Sequence, residues 1–229
     1  MKGVPMKRVF IFLFLLLPIQ SAFALNSPEQ WLETKGDALI RALSDKDAAN
    51  RFESTKKIAV DAFHRNELSR LALGRYWREF SVEQQSAYRD LFLDYFLSVY
   101  TESPLPVKDV KFRIVDKRLT PKDVLLKVSV DALPALNFMP AETQAQARPE
   151  QMQLELIFAL RERADGFYIR DVQVEGQSML LFIRKELESL YTRSGYIPDR
   201  FLDRMRQKVE QSADRRKRAA TNNSANSAG

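Results

Sequence analysis

The side chains that most often carry out catalysis are scarce in this sequence of 229 residues. It has no cysteine and a single histidine, His64, which excludes thiol nucleophiles, disulfides, thiolate zinc sites and multi-histidine metal sites. None of its seven glycines lies in a dinucleotide-binding or phosphate-loop motif. Most of the common enzyme and cofactor sites are therefore excluded.

Two short patterns could still support catalysis. Ser54 and Lys57 match the S-x-x-K pattern of penicillin-interacting enzymes, but the companion S-D-N and K-T-G motifs are missing. His64 could serve a Ser-His-Asp triad, yet residues 61–64 have an ordinary helical pattern and no G-x-S-x-G motif occurs. Asp and Glu are numerous, but their spacing selects no glycosidase-like pair. We predict no catalytic residue, no metal site and no cofactor.

The first 24 residues have the features of an export signal. Lys7 and Arg8 precede an apolar run over residues 9–17, and a small-residue motif follows at Ala22 to Ala24. This order is typical of a secretory signal peptide, and the run is shorter than the roughly 20 residues that span a bilayer. We predict cleavage after Ala24 and a location in the periplasm, where a protein without cysteine is well suited to oxidising conditions. A retained anchor is the alternative.

The formal charge of +6 lies at the two ends of the chain. The leader contributes +3 and residues 213–229 contribute another +3, which leaves residues 25–212 with 29 basic and 29 acidic side chains. A neutral central region does not favour nucleic-acid binding. We predict that residues 213–229 form a disordered, solvated tail. Attraction of this tail to an anionic membrane is the alternative interpretation.

The hydrophobic patterns predict helices first, then strands, then helices again. Capping-box patterns at Ser27 and Ser81 each begin a helix, the first running to about Leu43. The helix from Ser81 to about Thr101 is apolar over most of its circumference, so it must be covered on several sides. Further helices are predicted over residues 50–73, over residues 178–193 and from Pro198 onward.

The middle of the chain predicts a sheet. Alternating apolar residues near 112–114, 124–131, 154–161 and 167–175 predict four strands. Asp165-Gly166 predicts a tight turn between the last two strands, and residues 132–150 predict a long loop. The fold class is therefore α+β, a single domain over residues 25–212 with helices on one face of a curved, roughly four-stranded sheet.

Two segments resemble the MlaC family, also called the toluene-tolerance family, of periplasmic phospholipid-binding transport proteins. The first is Leu73-Gly-Arg-Tyr-Trp-Arg78, followed by Ser81-x-x-Gln84-Gln85 and the aromatic helix. The second runs from Phe167-Tyr-Ile-Arg-Asp171 through Gly176-x-Ser178. The resemblance covers about residues 28–210. The family usually has tryptophan at the position of Phe167, and the 132–150 loop is longer and richer in proline than usual.

The resemblance implies a lipid carrier, NTF2-like in part, that holds the acyl tails of a glycerophospholipid in an apolar cavity between sheet and helices. It also implies lipid exchange with an inner-membrane ABC-transporter complex, through its MCE-type subunit, and with an outer-membrane lipoprotein–porin complex. Such exchange would maintain outer-membrane lipid asymmetry. The inward strand positions and the apolar helices provide twelve predicted lipid-binding residues: Tyr76, Phe92, Phe96, Tyr100, Val128, Leu154, Leu156, Phe158, Val172, Val174, Met179 and Phe182.

Three other interpretations remain open at this point. A carrier of this kind could take another apolar lipid such as a hopanoid, because an apolar cavity has the same sequence pattern for both. An NTF2-like periplasmic enzyme would need carboxylates in its pocket, and strand alternation places Glu155 on the face opposite Leu154 and Leu156. A structural adaptor with a filled core is the third.

Overall fold

The computed structural model describes residues 27–101, 110–131 and 153–226, and within them the side chains of 99, 100, 111, 131, 153 and 222–226 are not described. The predicted leader, the 132–150 loop and the side chain of Tyr100 therefore lie outside the described residues. The helices in these ranges are α1 (Pro28–Leu43), α2 (Ala48–Ala62), α3 (Arg65–Leu73), a 3₁₀ helix (Gly74–Glu79), α4 (Val82–Tyr100), α5 (Met179–Arg193) and α6 (Pro198–Asn226). The strands are β1 (Lys111–Leu119), β2 (Val124–Asp131), β3 (Gln153–Arg163), β4 (Gly166–Val174) and β5 (Gln177–Ser178).

Both predicted capping boxes are confirmed. The Ser27 hydroxyl accepts the N–H of Gln30 at 3.2 Å, and the Gln30 side chain accepts the N–H of Ser27 at 3.4 Å. Ser81 and Gln84 repeat the arrangement at the start of α4. These bonds satisfy N–H groups that have no partner in the first turn of a helix, and they fix where α1 and α4 begin.

The strands form one antiparallel sheet in the order β1-β2-β3-β4-β5. Its register aligns Ile114, Val128 and Leu156 across the first three strands, so their side chains share one face. The four predicted strands and the turn at Gly166 are confirmed. The two-residue β5 was not predicted, because so short a strand shows no alternation. It forms because Glu175 and Gly176 have positive φ angles and turn the chain back to pair with β4.

The inner face of the sheet packs against α1. Trp31 and Leu32 of α1 are buried against apolar side chains of β2, β3 and β4. Gly36 allows the ring of Phe112 in β1 to approach closely, since a Cβ at residue 36 would lie 3.2 Å from the Phe112 Cζ. We call the buried residues between α1 and the sheet the sheet core.

A second core lies among the helices. Tyr88 of α4, Tyr191 of α5 and Phe201 of α6 are completely buried there, and the rings of Phe80 and Phe201 meet edge to face at 5.7 Å. The Tyr88 hydroxyl donates to the Ser69 carbonyl at 3.1 Å. Burial raises the pKa of Tyr88 well above its usual value, because an ionised phenolate there would lose its hydration. We call this group the helix core.

Phe63, directly after α2, connects the sheet to the helices. Its backbone is extended, its N–H donates to the Ala59 carbonyl at 3.0 Å, and it forms a parallel β-bridge with Ile169 of β4. Its ring packs against the sheet core and also against a cluster that includes Leu93 and Leu97 of α4. The position of α4 relative to the sheet therefore depends on this residue.

The end of α4 is held by a buried arginine in α2. Arg51 is 1% exposed, and its Nε donates to the Thr101 carbonyl at 2.9 Å while its Nη1 donates to the Asp45 carbonyl at 2.5 Å. These bonds satisfy carbonyls that follow two helices and would otherwise be buried without a partner. Arg51 thus ties the end of α4 to the connection between α1 and α2.

The prediction of a disordered tail from residue 213 is wrong for the residues that the structure describes. Helix α6 continues to Asn226. Ser212 is buried and donates to the Ser98 carbonyl of α4 at 3.3 Å, and the Arg216 guanidinium lies 3.7 Å from the centre of the Phe52 ring. Polar composition alone suggested disorder, but arginine, lysine and alanine have high helix propensity and a preformed helix precedes them. None of the described helices is long and apolar enough to cross a bilayer.

Replacing Arg51 by alanine is expected to lower the free energy of unfolding by about 3 kcal/mol, because buried carbonyls lose their donors and a space is left in the protein. Urea unfolding followed by circular dichroism measures the loss. Arg41→Ala is the matched control, since Arg41 is exposed on α1, and its effect should stay within about 0.5 kcal/mol. Equal losses in the two variants would show that Arg51 has no special structural role.

Stability should also fall at alkaline pH. A phenol with a higher pKa in the folded than in the unfolded chain stabilises the fold fully below its unfolded pKa of about 10 and loses that contribution as the pH rises above it. Tyr88→Phe cannot ionise, so it should show a shallower alkaline loss, at a cost of about 1 kcal/mol at neutral pH for the lost hydrogen bond. Urea unfolding of both proteins across the alkaline range tests this; parallel curves would contradict it.

Candidate functional site

An apolar strip on the inner face of the sheet is only partly covered. Leu156 and Phe158 of β3, Val172 of β4 and Met179 at the start of α5 pack against the sheet core but remain half-buried. Their neighbours Val128 and Leu160 on the same face are completely buried. Phe112 and Ile114 of β1 and Val124 of β2 are half-buried as well, toward the other side of the sheet. The four residues named first form the partly covered part beside α5. We call these four residues the inner strip.

A small cavity lies between α4 and α5. Its volume is about 70 Å³, and it is lined by Phe92, Tyr95, Phe96, Phe182, Ile183, Glu186 and Leu187. Pockets for drug-sized ligands occupy roughly 300–1,000 Å³, so this cavity has room for the end of an apolar chain and not for a complete ligand. We call it the α4–α5 cavity.

The first turn of α5 joins the inner strip to the α4–α5 cavity. Met179 packs against the sheet core, and Phe182, three residues later, lines the cavity. Side chains three residues apart lie on the same side of a helix. The two apolar surfaces are therefore neighbours along one side of α5.

Polar groups in the second motif fix the start of α5. The Ser178 hydroxyl accepts the N–H of Leu181 at 3.2 Å, and Oδ1 of Asp171 accepts the N–H of Leu180 at 3.1 Å. Gly176, with φ of +78°, makes the turn that precedes them, and a residue with a side chain would be strained there. These three residues place Met179 and Phe182 against the sheet and α4.

The α4–α5 cavity contains two polar side chains. Burial raises the pKa of Tyr95, the negative charge of Glu186 raises it further, and the positive charge of Arg193 lowers it. Glu186 itself is exposed, so its carboxylate lies where the cavity meets solvent. The cavity is thus apolar inside and acidic at its rim.

The structure brings together eight of the twelve predicted lipid-binding residues. Four form the inner strip, Leu156, Phe158, Val172 and Met179; three line the α4–α5 cavity, Phe92, Phe96 and Phe182; and Val174 lies buried beside the strip. Val128 and Leu154 belong to the same sheet core and are almost completely buried, so they support the strip from within.

Tyr76 was predicted to line a cavity between the sheet and the helices, but it does not face the sheet. It is in the helix core, where its ring packs on Tyr191 at 5.1 Å and its hydroxyl donates to Glu188 at 2.7 Å. The 3₁₀ helix after Gly74 turns Tyr76 toward the middle of α5 and away from the sheet. The side chain of Tyr100 lies outside the described residues.

Sequence reasoning missed four residues of the α4–α5 cavity: Tyr95, Ile183, Glu186 and Leu187. Ile183 follows Phe182 directly on α5, and Glu186 and Leu187 lie four residues after Phe182 and Ile183 respectively, so helical spacing could have identified them. That signal was insufficient by itself, because only the packing of α4 against α5 shows which side of each helix faces the cavity.

The side chains with catalytic potential have structural or surface positions. The Nδ1 atom of His64 accepts the N–H of Glu67 and caps α3, and its ring lies 5.4 Å from that of Tyr168. Ser54 and Lys57 are exposed on α2. Glu155 points away from the inner strip and pairs with Lys127 at 2.7 Å, as strand alternation predicted. No group of three or more metal-ligating side chains occurs within residues 27–101, 110–131 and 153–226.

The influence of Glu186 on Tyr95 can be measured. Glu186→Gln removes a negative charge, so the pKa of Tyr95 should decrease toward its usual value. Carbon-13 labelling of tyrosine and NMR titration follow each phenol separately. Glu53→Gln, an exposed change on α2, is the control and should leave Tyr95 unchanged. An unchanged pKa in Glu186→Gln would place the carboxylate outside the cavity rim.

Comparison with known proteins gives one family and one fold. The sequence model of the family described as MlaC protein matches residues 33–207. No curated protein sequence matches the chain. Among solved structures, the phospholipid-binding protein from Ralstonia solanacearum, determined in complex with a phospholipid, is similar to this chain, with a TM-score of 0.60. The two are 15% identical, and the match covers 80% of this chain and 96% of the other, which establishes a shared fold.

Proposed function

Because the chain belongs to the MlaC protein family, we propose that it is a phospholipid carrier and not an enzyme. The cargo's acyl tails contact the inner strip, and the end of a tail reaches the α4–α5 cavity. The observation that carries this proposal is a partly covered apolar strip, placed by the first turn of α5 beside an apolar cavity. A surface of this kind binds hydrocarbon by removing it from water and needs no reactive group.

The likeness to the Ralstonia solanacearum protein supports the choice of cargo. That protein binds a phospholipid, and it has the same fold over most of both chains. In this chain the inner strip and the α4–α5 cavity provide aliphatic and aromatic side chains, which suit acyl tails better than a polar substrate. The positions of His64, Ser54 and Glu155 outside these surfaces argue against the alternative of an enzyme with a polar pocket.

The strength of such binding determines how cargo must leave. Burial of a 16-carbon tail provides roughly 12 kcal/mol at about 0.8 kcal/mol per methylene, or about 25 kcal/mol for two tails. With a barrier of about 20–25 kcal/mol, spontaneous escape into water takes minutes to days. A carrier of this kind therefore transfers lipid by direct contact with other proteins.

We place this transfer in the periplasm, after export directed by residues 1–24. The partners are an inner-membrane ABC-transporter complex, through its MCE-type subunit, and an outer-membrane lipoprotein–porin complex, and the exchange maintains outer-membrane lipid asymmetry. The family supports this assignment. Identification of Leu25 as the first residue of the protein purified from the periplasm would test export, and crosslinking to membrane complexes would test the partners.

Phe158→Asp should abolish co-purification of lipid, because it places a carboxylate on the inner strip, where burying it against hydrocarbon costs several kcal/mol. Native mass spectrometry of the purified protein, followed by lipid extraction, measures the bound cargo and identifies it. A bound molecule with the mass of a phospholipid supports the proposal. A bound polycyclic lipid would show instead that the cargo is of the hopanoid type.

Ile157→Asp is the matched control for this experiment. Ile157 directly precedes Phe158 on β3 and is also half-buried, but its side chain points to the opposite face of the sheet. The control should retain lipid, with circular dichroism showing that both variants are folded. Retention of lipid by folded Phe158→Asp would exclude the inner strip as the site, and wild-type protein without lipid would contradict the carrier function.

A further inference from the structure

We propose that residues 213–226 of α6, which we call the basic segment, dock the protein on the surface of an anionic phospholipid bilayer. The side chains that make this contact are Arg215, Lys217 and Arg218, all of which are exposed. This proposal does not rest on the identity of the cargo, because contact with a bilayer surface and retention of a lipid are separate properties.

The distribution of positive charge identifies the basic segment as a contact surface for an anionic bilayer. The basic segment carries Arg215, Arg216, Lys217 and Arg218 against Asp214, a net charge of +3, whereas residues 25–212 have equal numbers of basic and acidic side chains. An anionic leaflet attracts basic residues that come within about a Debye length, which is about 8 Å in physiological salt. Once the leader is removed, the segment is thus a concentrated positive charge attached to a body that is neutral as a whole.

The basic segment is attached firmly to the rest of the protein. The Ser212 hydroxyl donates to the Ser98 carbonyl in α4, and the Arg216 guanidinium lies over the Phe52 ring of α2 while its Nη1 donates to Ser212 at 2.7 Å. These contacts hold the start of the segment as a helix, so its charges have a defined position. Helix α6 then extends about 15 Å past Arg216, at 1.5 Å per residue.

The point of attachment lies beside the proposed lipid site. Ser98, which receives the bond from Ser212, is one turn beyond Tyr95 on α4, and the Ser98 hydroxyl itself donates to the Tyr95 carbonyl at 2.7 Å. Tyr95 and Phe96 line the α4–α5 cavity. A bilayer that binds the basic segment would therefore approach the end of α4 that carries these cavity residues.

The composition of the basic segment suits a bilayer surface better than a protein partner. Its four consecutive basic residues lie at 100° intervals, so the charge is spread around the helix and not gathered on one face. Its described side chains include no large apolar group that could fill a pocket or insert into hydrocarbon. Binding to the diffuse negative potential of a bilayer requires only positive charge on the protein, whereas binding to a protein partner would also require apolar anchors.

Vesicle co-sedimentation of the mature chain tests the proposal. Wild-type protein should bind anionic vesicles of phosphatidylglycerol and phosphatidylethanolamine and dissociate from them at high salt. It should not bind vesicles of phosphatidylcholine, which have no net charge. The variant R215Q/K217Q/R218Q should bind the anionic vesicles about a hundredfold more weakly, at roughly fivefold for each basic residue. The control R70Q/R118Q/R200Q removes three exposed charges from α3, β1 and the start of α6, and its binding should change by less than about threefold.

A charge-conserving variant keeps the test decisive if the triple variant loses helix. R215K/R218K should bind anionic vesicles as well as wild type does, because a bilayer potential recognises charge and not the geometry of a guanidinium group. The proposal would be overturned by any one of three results. These are loss of binding in folded R215K/R218K, equal losses of binding in the two triple variants, and wild-type binding that does not depend on the charge of the vesicles. Lipid extraction from the same samples tests the carrier function separately, and a protein with cargo but no vesicle binding would overturn only the docking.

Discussion

The contact of Phe63 with both the sheet core and α4 is the constraint on which the rest of the structure depends. The sheet must bury one apolar face, and α4 is apolar over most of its circumference, so each needs partners on several sides. Phe63 meets this requirement with one residue: its backbone pairs with Ile169 of β4, and its ring packs between the sheet core and α4. The distance between sheet and helices, and hence the space left for an apolar ligand, follows from this junction.

Charged groups reinforce the junction on the outer face of the sheet. Glu67 lies at the start of α3, and its Oε1 atom is 3.2 Å from the Nε atom of Arg170. Its Oε2 atom accepts a hydrogen bond from the Tyr168 hydroxyl at 2.9 Å. Asp123 before β2 pairs with Arg161 of β3 at 3.0 Å and with Arg170 at 3.3 Å. Positive and negative groups balance in this network, so it serves to align α3 with the sheet and does not form an anion site.

The two faces of the sheet carry different kinds of side chain, and this arrangement suits a function that needs no reactive group. Polar and charged groups are paired on the outer face or used as helix caps, as with His64 and Asp171. The inner face keeps aliphatic and aromatic side chains, some of them only half-covered. Hydrocarbon binding follows from this separation, and specificity then depends on the shape and length of the apolar surface.

The sequence alone determined most of the elements of this protein, apart from β5 and the continuation of α6, because capping boxes, strand alternation and the Asp165-Gly166 turn are local signals that act within a few residues. It also determined which face of each strand is apolar, and so placed Leu156, Phe158 and Val172 together. The features that depend on packing between distant segments are visible only in the tertiary structure. Tyr76 lies in the helix core, because the 3₁₀ helix turns that residue toward α5. Residues 213–226 are helical, because contacts with Ser98 and Phe52 stabilise a segment whose composition by itself suggested disorder.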